Sequence, residues 1–379
     1  MFDYESMRII WWLLLGVLLT GFAIMDGFDL GVALLLPFVA RKDIERRVVI
    51  NTIGPVWEGN QVWIILGAGA IFAAWPIIYS VSFSGFYLAM LIVLLGFILR
   101  PVGFKYRSKM PSARWRSNWD KILFIAGLLP SLIFGVALGN VLQGVPFYFD
   151  DSLRVFYTGS LWGLLNPFAL LCGLVSVCML AMHGASFLAT KTEGIVRQRA
   201  IQYGRIAAIA MLLLFIASGF WVAKGLNGFV IDSIVDHAGP SNPLHKAVSV
   251  MVGAWMNNYH LNPLLWIAPL LVVVAVIGQL LCLGSGQSKW GFVFSSLAIV
   301  GVISTFGLSL FPFLLPSSSH PSMSLLVWDA SSSLLTLRIM LVCTILFMPI
   351  ILLYTAWVYR VMRGRVTENS IESDSQNKY

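Results

Sequence analysis

The sequence predicts an all-α integral membrane protein of about nine transmembrane helices in helical bundles, and three observations predict it. Hydrophobic residues make up 58% of the chain and charged residues 11%, against roughly 45–50% and about 25% in soluble domains. The apolar residues come in runs, Leu123–Val141, Leu161–Met182, Ile206–Val222, Pro263–Leu283, Phe292–Pro316 and Ile339–Val358, each close to or above the ~18–20 residues that cross a bilayer core. The bases are also segregated between alternate connections.

The spans are expected near 8–38, 51–75, 77–100, 120–142, 161–189, 205–226, 262–284, 291–315 and 336–360, within a membrane domain over 1–366. A polar, disordered cytoplasmic tail is expected over 367–379. Alternate connections hold Arg41, Lys42, Arg46 and Arg47; Arg100 through Lys121, with seven bases; Lys191, Arg197, Arg199 and Arg205; Lys289; and Arg360, Arg363, Arg365 and Lys378. That places twenty bases on one side and five (Arg8, Arg154, Lys224, Lys246, Arg338) on the other. By the positive-inside rule the N-terminus lies outside, the C-terminus lies in the cytoplasm, and the number of spans is odd. The net charge of +8 follows from this topology and calls for no nucleic-acid partner.

The first span follows Met-Phe-Asp-Tyr-Glu, with two acids before the first base, which is the reverse of a secretory leader. Cys172, Cys178, Cys282 and Cys343 all lie in apolar runs and read as small buried hydrophobes, with neither disulfide nor metal spacing. The connections 143–160, 227–261 and 316–335 are rich in Gly, Pro, Ser, Asn and aromatics, and Leu244–Met256 reads as a short interfacial helix. Trp57, Trp63, Trp75, Trp162, Trp255, Trp266 and Trp328 fall near span ends, as an aromatic belt would place them. Asn166-Pro167 and Asn262-Pro263 each open a span.

Charge inside a bilayer costs ~2.5–3.5 kcal/mol per residue on insertion scales, so each intramembrane acid needs a reason. Asp26 and Asp29, spaced i, i+3, share a face of the first helix. Glu58 lies in the second span, in Trp57-Glu58-Gly59-Asn60-Gln61-Val62-Trp63. At 1.5 Å per residue Asp26 is ~27 Å in from the outer start of its span and Glu58 ~10 Å from the inner start of its own. Arg100 closes the third span, so all four charges converge in the cytoplasmic half, as a proton-entry path or polar ligand site requires. The plainer alternative is packing, with Arg100 neutralising one acid and Asn60 and Gln61 satisfying the others. Asp120 and Lys121 read as a solvated interfacial pair, and Asp329 and Arg338 as structural groups of the outer side.

Of five histidines, His237, His245, His260 and His320 fall in outer connections and only His183 inside a span. Haem ligation by facing helices needs a pair so placed, so this chain is expected to bind no haem and no other metal.

These same residues resemble a known family. The opening Asp-Tyr-Glu with Trp11-Trp12-Leu13-Leu14, Asp26-Gly27-Phe28-Asp29-Leu30-Gly31 and Glu58-Gly59-Asn60-Gln61-Val62-Trp63 are similar to subunit II of the cytochrome bd-type quinol oxidases. So are Phe72–Pro76, Phe83–Tyr87, Arg100-Pro101, Gly139–Pro146, Phe311-Pro312-Phe313 with Pro316-Ser317-Ser318, Leu326–Ser332 and Pro349–Trp357, so that nearly the whole chain is covered. The resemblance implies a bacterial inner-membrane complex that oxidises ubiquinol and reduces dioxygen to water, building proton-motive force without pumping. It also implies that haem b and haem d are ligated by subunit I, and that a small single-helix accessory subunit is often present. No catalytic residue is implied in this chain. Glu58 matches a position proposed to pass protons towards subunit I, where familiar relatives have Asp, with Asp29 its upstream neighbour and Asp26 beside it. In some relatives a ubiquinone also sits in subunit II, near the positions of Trp57 and Arg100. A proton-coupled secondary transporter is the competing class. Transporters often repeat a broken-helix site in two halves, whereas these acids cluster in the first two spans alone.

Overall fold

A computed structural model describes residues 2–372. Its first half runs α1 (Tyr4–Val39), α2 (Asp43–Ile53), α3 (Trp57–Ala74), α4 (Pro76–Gly85), α5 (Tyr87–Tyr106), α6 (Ala113–Gln143) and the single turn α7 (Leu161–Leu164). The second half runs α8 (Pro167–Lys191), α9 (Gly194–Lys224), α10 (Asn257–Leu261), α11 (Ile267–Gly284), α12 (Ser288–Leu310), α13 (Leu334–Val361) and α14 (Glu368–Glu372). Among the described residues eight helical segments are long and apolar enough to cross a membrane: α1, α5, α6, α8, α9, α11, α12 and α13. The segment α3 has 18 residues but opens on Glu58, Asn60 and Gln61, which lowers its hydropathy.

The expected second and third spans differ most from the structure. Residues 51–53 belong to α2, and Gly54-Pro55 breaks the chain before α3, because proline has no N–H to continue a helix. The stretch 77–100 is two helices: Pro76 occupies the first turn of α4, and the chain bends again at Phe86 before α5.

At the centre α1 packs against α3, α6 and α8. A Cβ at Gly31 would run into the carbonyl of Leu180, and one at Gly184 would run into the backbone of Gly31. Glycine at both positions lets the α1 and α8 backbones touch, which is how small residues bring membrane helices together. The two span-opening Asn-Pro pairs have one physical role. Asn166 accepts from the N–H of Ala169, and Asn262 accepts from the N–H of Leu264, so each caps the helix it precedes.

The three polar-aromatic connections form hairpins at one end of the bundle: β1 (Phe147–Phe149) with β2 (Val155–Tyr157), β3 (Asn227–Ile231) with β4 (Val248–Val252), and β5 (Phe313–Leu315) with β6 (Leu325–Leu326). The expected interfacial helix over Leu244–Met256 is therefore not formed: Val248–Val252 is strand and Ala254–Met256 a single 3-10 turn. Its Val248-Ser249-Val250-Met251-Val252 is β-branched at alternate positions and finds a partner strand. Trp75, Trp255 and Trp328 are buried in the core beneath these hairpins rather than in a lipid-facing belt, whereas Trp162 and Trp266 are exposed. The Nε1–H groups of Trp75 and Trp255 donate to the carbonyls of Val327 and Leu142, which lets large amphipathic rings be enclosed.

The hairpin end is bound by charge as well. The Arg8 guanidinium donates to the Ser331 hydroxyl and to the carbonyls of His237 and Gly239, and lies 3.6 Å over the Tyr4 ring. Asp329 pairs with Lys246 at 2.6 Å and accepts from the N–H of Leu326. Burial raises the Asp329 carboxyl above its usual range, and Lys246 offsets this only in part. Asp329 and Arg338, whose guanidinium donates to the Phe2 carbonyl, hold structure as expected of them.

At the opposite end Asp120 does not pair with Lys121. It is buried between Arg107 and Arg46, at 2.6 and 2.7 Å, because helical neighbours i and i+1 point apart. Glu45 of α2 accepts from the N–H groups of Arg41 and Lys42 and pairs with Arg199 at 2.8 Å. Of the expected disordered tail, Glu368–Glu372 instead forms α14, with Ile371 buried and the turn packed on α2; residues 373–379 lie outside the described residues.

Candidate functional site

The site begins with helical periodicity. Asp26 and Asp29 lie one turn apart on α1, both fully enclosed, and Phe28 between them points elsewhere, stacking on Phe187 at 4.0 Å. Arg100 on α5, likewise fully enclosed, reaches Asp26: its Nη2 donates to Oδ1 at 2.6 Å. Its guanidinium carbon lies 5.3 Å from the Phe97 ring centroid. Asn60 on α3, 1% exposed, donates from Nδ2 to Asp29 Oδ2 at 2.9 Å. Its own Oδ1 accepts from the Tyr359 hydroxyl of α13 at 2.6 Å. Four helices thus converge on two carboxyls, linked as Arg100–Asp26 and Tyr359–Asn60–Asp29.

The arrangement is unbalanced in two ways. Two carboxyls share one guanidinium, so the group is neutral only with one proton added. Asp26 Oδ2, Asp29 Oδ1, and Arg100 Nε and Nη1 also find no partner among the described residues. Buried polar atoms without partners are rare and costly in native proteins. An enclosed carboxyl with one free oxygen can take up and release a proton.

Glu58 is placed differently from the acids expected beside it. It lies in the first turn of α3, and it is exposed. Two residues along a helix is about 200° of rotation, so while Asn60 faces α1, Glu58 faces out of the chain. Its carboxylate favours the positive end of the α3 dipole. Trp57 is buried, its ring 5.9 Å from that of Phe104. Gln61 is part-exposed and makes none of the hydrogen bonds to the acids. Of the expected group, then, Asp26, Asp29, Arg100 and Asn60 meet. Tyr359 was the residue the sequence did not flag: a tyrosine near a span end reads as an interface anchor, and Tyr354, five residues earlier, is exposed.

His183 is engaged at both ring nitrogens, Nδ1 with the Ser295 hydroxyl at 2.8 Å and Nε2 with the Ile24 carbonyl at 2.9 Å. It has no lone pair free for a haem iron. His237 stacks on Trp328 at 4.2 Å and bonds Glu5. No group of three or more His, Cys, Asp or Glu able to hold a metal ion occurs among the described residues.

Residues 7–362 match the family model of cytochrome bd terminal oxidase subunit II. The chain belongs to that family. It is 50% identical over 379 residues to a Haemophilus influenzae protein described as probable cytochrome oxidase subunit 2, covering 100% of both chains. It is 49% identical over 379 residues, again 100% of both, to cytochrome bd-I ubiquinol oxidase subunit 2 of Escherichia coli. The corresponding Bacillus subtilis subunit is 29% identical over 362 residues, 96% of this chain and 97% of that one. Among solved structures, bd oxidase from Geobacillus thermodenitrificans superposes with a TM-score of 0.70 at 14% identity, covering 94% of this chain and 98% of the other, which shows the shared fold. As a member of the family this multi-pass protein is a subunit of a terminal oxidase, in a complex whose haems call for a subunit I partner.

Proposed function

We propose that this chain is the non-haem subunit of a bacterial inner-membrane quinol:dioxygen oxidoreductase, scaffolding the haem-bearing subunit I and supplying part of its cytoplasmic proton-uptake path. The observation that carries this reading is the enclosed pair Asp26 and Asp29 sharing Arg100, with Glu58 exposed on the neighbouring helix. Asp29, held by a neutral amide rather than a cation, is the proton-exchanging member, and Asp26 is the one fixed by Arg100. Glu58 receives the proton and presents it at the outer wall of the chain, where subunit I docks. The complex thereby draws protons for water formation from the cytoplasmic side and builds proton-motive force without pumping.

In this reading α3 is the ninth crossing, antiparallel to α1. The N-terminus and the hairpin cap lie outside, and α2, α14 and the C-terminus lie in the cytoplasm, in keeping with the charge bias. The exposed flank of α13 is available to lipid, to subunit I or to a single-helix accessory subunit. A structural ubiquinone is better placed at Trp57 than at Arg100, because Arg100 has no exposed surface.

The test is turnover of the complex co-expressed with its partner. Glu58→Gln and Asp29→Asn are expected to retain haem bands while quinol-driven oxygen consumption falls by roughly 10²-fold, the usual scale of losing one proton-transfer group. Full turnover in both would leave the chain a scaffold only.

A further inference from the structure

Beside the enclosed acids lies a cavity of about 360 Å³, room for on the order of ten waters. Thr52, Val56, Phe187, Lys191 and Tyr359 line it, and Val361, Met362, Gly364, Arg365, Val366 and Ser370 roof it. The roof is fastened as a strap. Lys191 donates from Nζ to the carbonyl of Met362, Val366 donates its N–H to the carbonyl of Lys191, and Arg365 pairs with Glu193. Gly364 and Arg365 at the rim are exposed, so the space reaches solvent at the end of the bundle that holds α2 and α14. Its inner end is Tyr359, whose hydroxyl bonds Asn60, which in turn bonds Asp29. One aromatic ring and one amide therefore separate a partly polar, solvent-open cavity from a carboxyl with an oxygen left free.

We propose that this cavity is the cytoplasmic water entrance to Asp29, and that Tyr359 is its hydrogen-bonded plug. The inference rests on the proton-path reading above and names its mouth. Asn60 conducts no proton itself, because an amide does not shuttle protons as a hydroxyl or water chain does. Its bond to Tyr359 instead holds the ring across the opening, and swinging the ring away lets cavity water reach Asp29 Oδ1. Tyr359 is thus a positioning residue. The strap explains why the chain after α13 is pinned back on Lys191 and Glu193: it keeps the mouth open to water rather than to lipid.

The experiment uses the complete complex in inside-out vesicles. Thr52→Cys and Val366→Cys place thiols on opposite walls, and each is treated with a membrane-impermeant methanethiosulfonate, which needs water because only the thiolate reacts. Both are expected to react. Oxygen consumption should then fall by about tenfold relative to the same variant before treatment, after correction for the native complex treated alike. Failure to react, or reaction without loss of rate, overturns the proposal. For the plug, Asn60→Cys is expected to stay unreactive while Tyr359 is present and to become reactive in Asn60→Cys/Tyr359→Ala, with haem bands reporting assembly. Equal reactivity with and without the ring overturns the role of Tyr359. Unlabelled Asp29→Asn and Glu58→Gln keep the two ideas apart. Slow turnover there with a harmless label sinks the entrance alone, whereas full turnover there sinks the proton path.

Discussion

Removing both buried acids should damage this protein more than removing either one, and more than additivity allows. Asp26, Asp29 and Arg100 are all fully enclosed, and Arg100 Nη2 stands 2.6 Å from Asp26. Charge centres about 4 Å apart at an effective dielectric of ~20 attract by about 4 kcal/mol. With Asp26→Asn, the Asp29 carboxylate one turn away still balances Arg100; with Asp29→Asn, Asp26 does. Each single variant should therefore cost ~1–2 kcal/mol. The double variant strands a guanidinium that cannot shed its proton, and breaking a buried pair in that way costs about 3–5 kcal/mol. The assay is the thermal unfolding midpoint of the detergent-purified complex for wild type, both singles and the double, with haem absorbance as a check on assembly. A double variant no less stable than the sum of the singles would refute the reasoning, since Arg100 would then have another counter-charge. Adding Arg100→Met to the double should recover most of the loss.

Two further expectations concern the ends of the bundle. Burial works against the Glu45 carboxylate, but the N–H groups of Arg41 and Lys42, and then Arg199, outweigh it and hold its pKa below the ordinary 4.5. A depressed carboxyl stabilises the folded state above its unfolded value and loses that contribution as pH falls through its folded value. The native complex should therefore lose stability below about pH 4.5 more steeply than Glu45→Gln, as melts across pH would read. At the hairpin end, Lys246→Met leaves the buried Asp329 unpaired and should cost about 3–5 kcal/mol, with Lys246→Met/Asp329→Leu regaining much of it. Melting midpoints that fall together in both variants would show that Asp329 matters for the Leu326 N–H rather than for Lys246.

What the sequence disclosed and what it hid divide along physical lines. Long apolar runs are local signals, so α1, α6, α8, α9, α11, α12 and α13 each overlap an expected span, although α6 begins seven residues and α9 eleven residues before the span start. The broken region from Asp43 to Tyr106 was harder, because a run of suitable length hides whether the chain bends inside it. Pro55 and Pro76 were the visible clues. Strand pairing between 227–231 and 248–252 depends on residues distant in sequence, so a segment apolar enough for an interfacial helix became half a hairpin. Asp120 was misread for the same reason: its partners lie thirteen residues before it and on α2, not next to it. The buried acids were legible because charge inside an apolar run demands a partner. Which partner each one took was not, and Tyr359 entered only through tertiary packing.

Burial across the site is deepest at the middle of the proposed path. From the strap inwards the groups run from exposed Arg365, through part-buried Tyr359, to fully enclosed Asp29, and out again to exposed Glu58. A packing device would be buried throughout and fully paired. Here burial is deepest where the free carboxyl oxygens are, and both outward ends, Arg365 and Glu58, are exposed. Charge held out of water costs several kcal/mol unless its partners are complete. An incomplete set kept between two accessible ends is what transient protonation requires, because the cost falls away each time a proton is taken up. The close approach of Gly31 to Leu180 matters for this as well. It locks α1 against α8 next to the acids, so that the carboxyls keep their places.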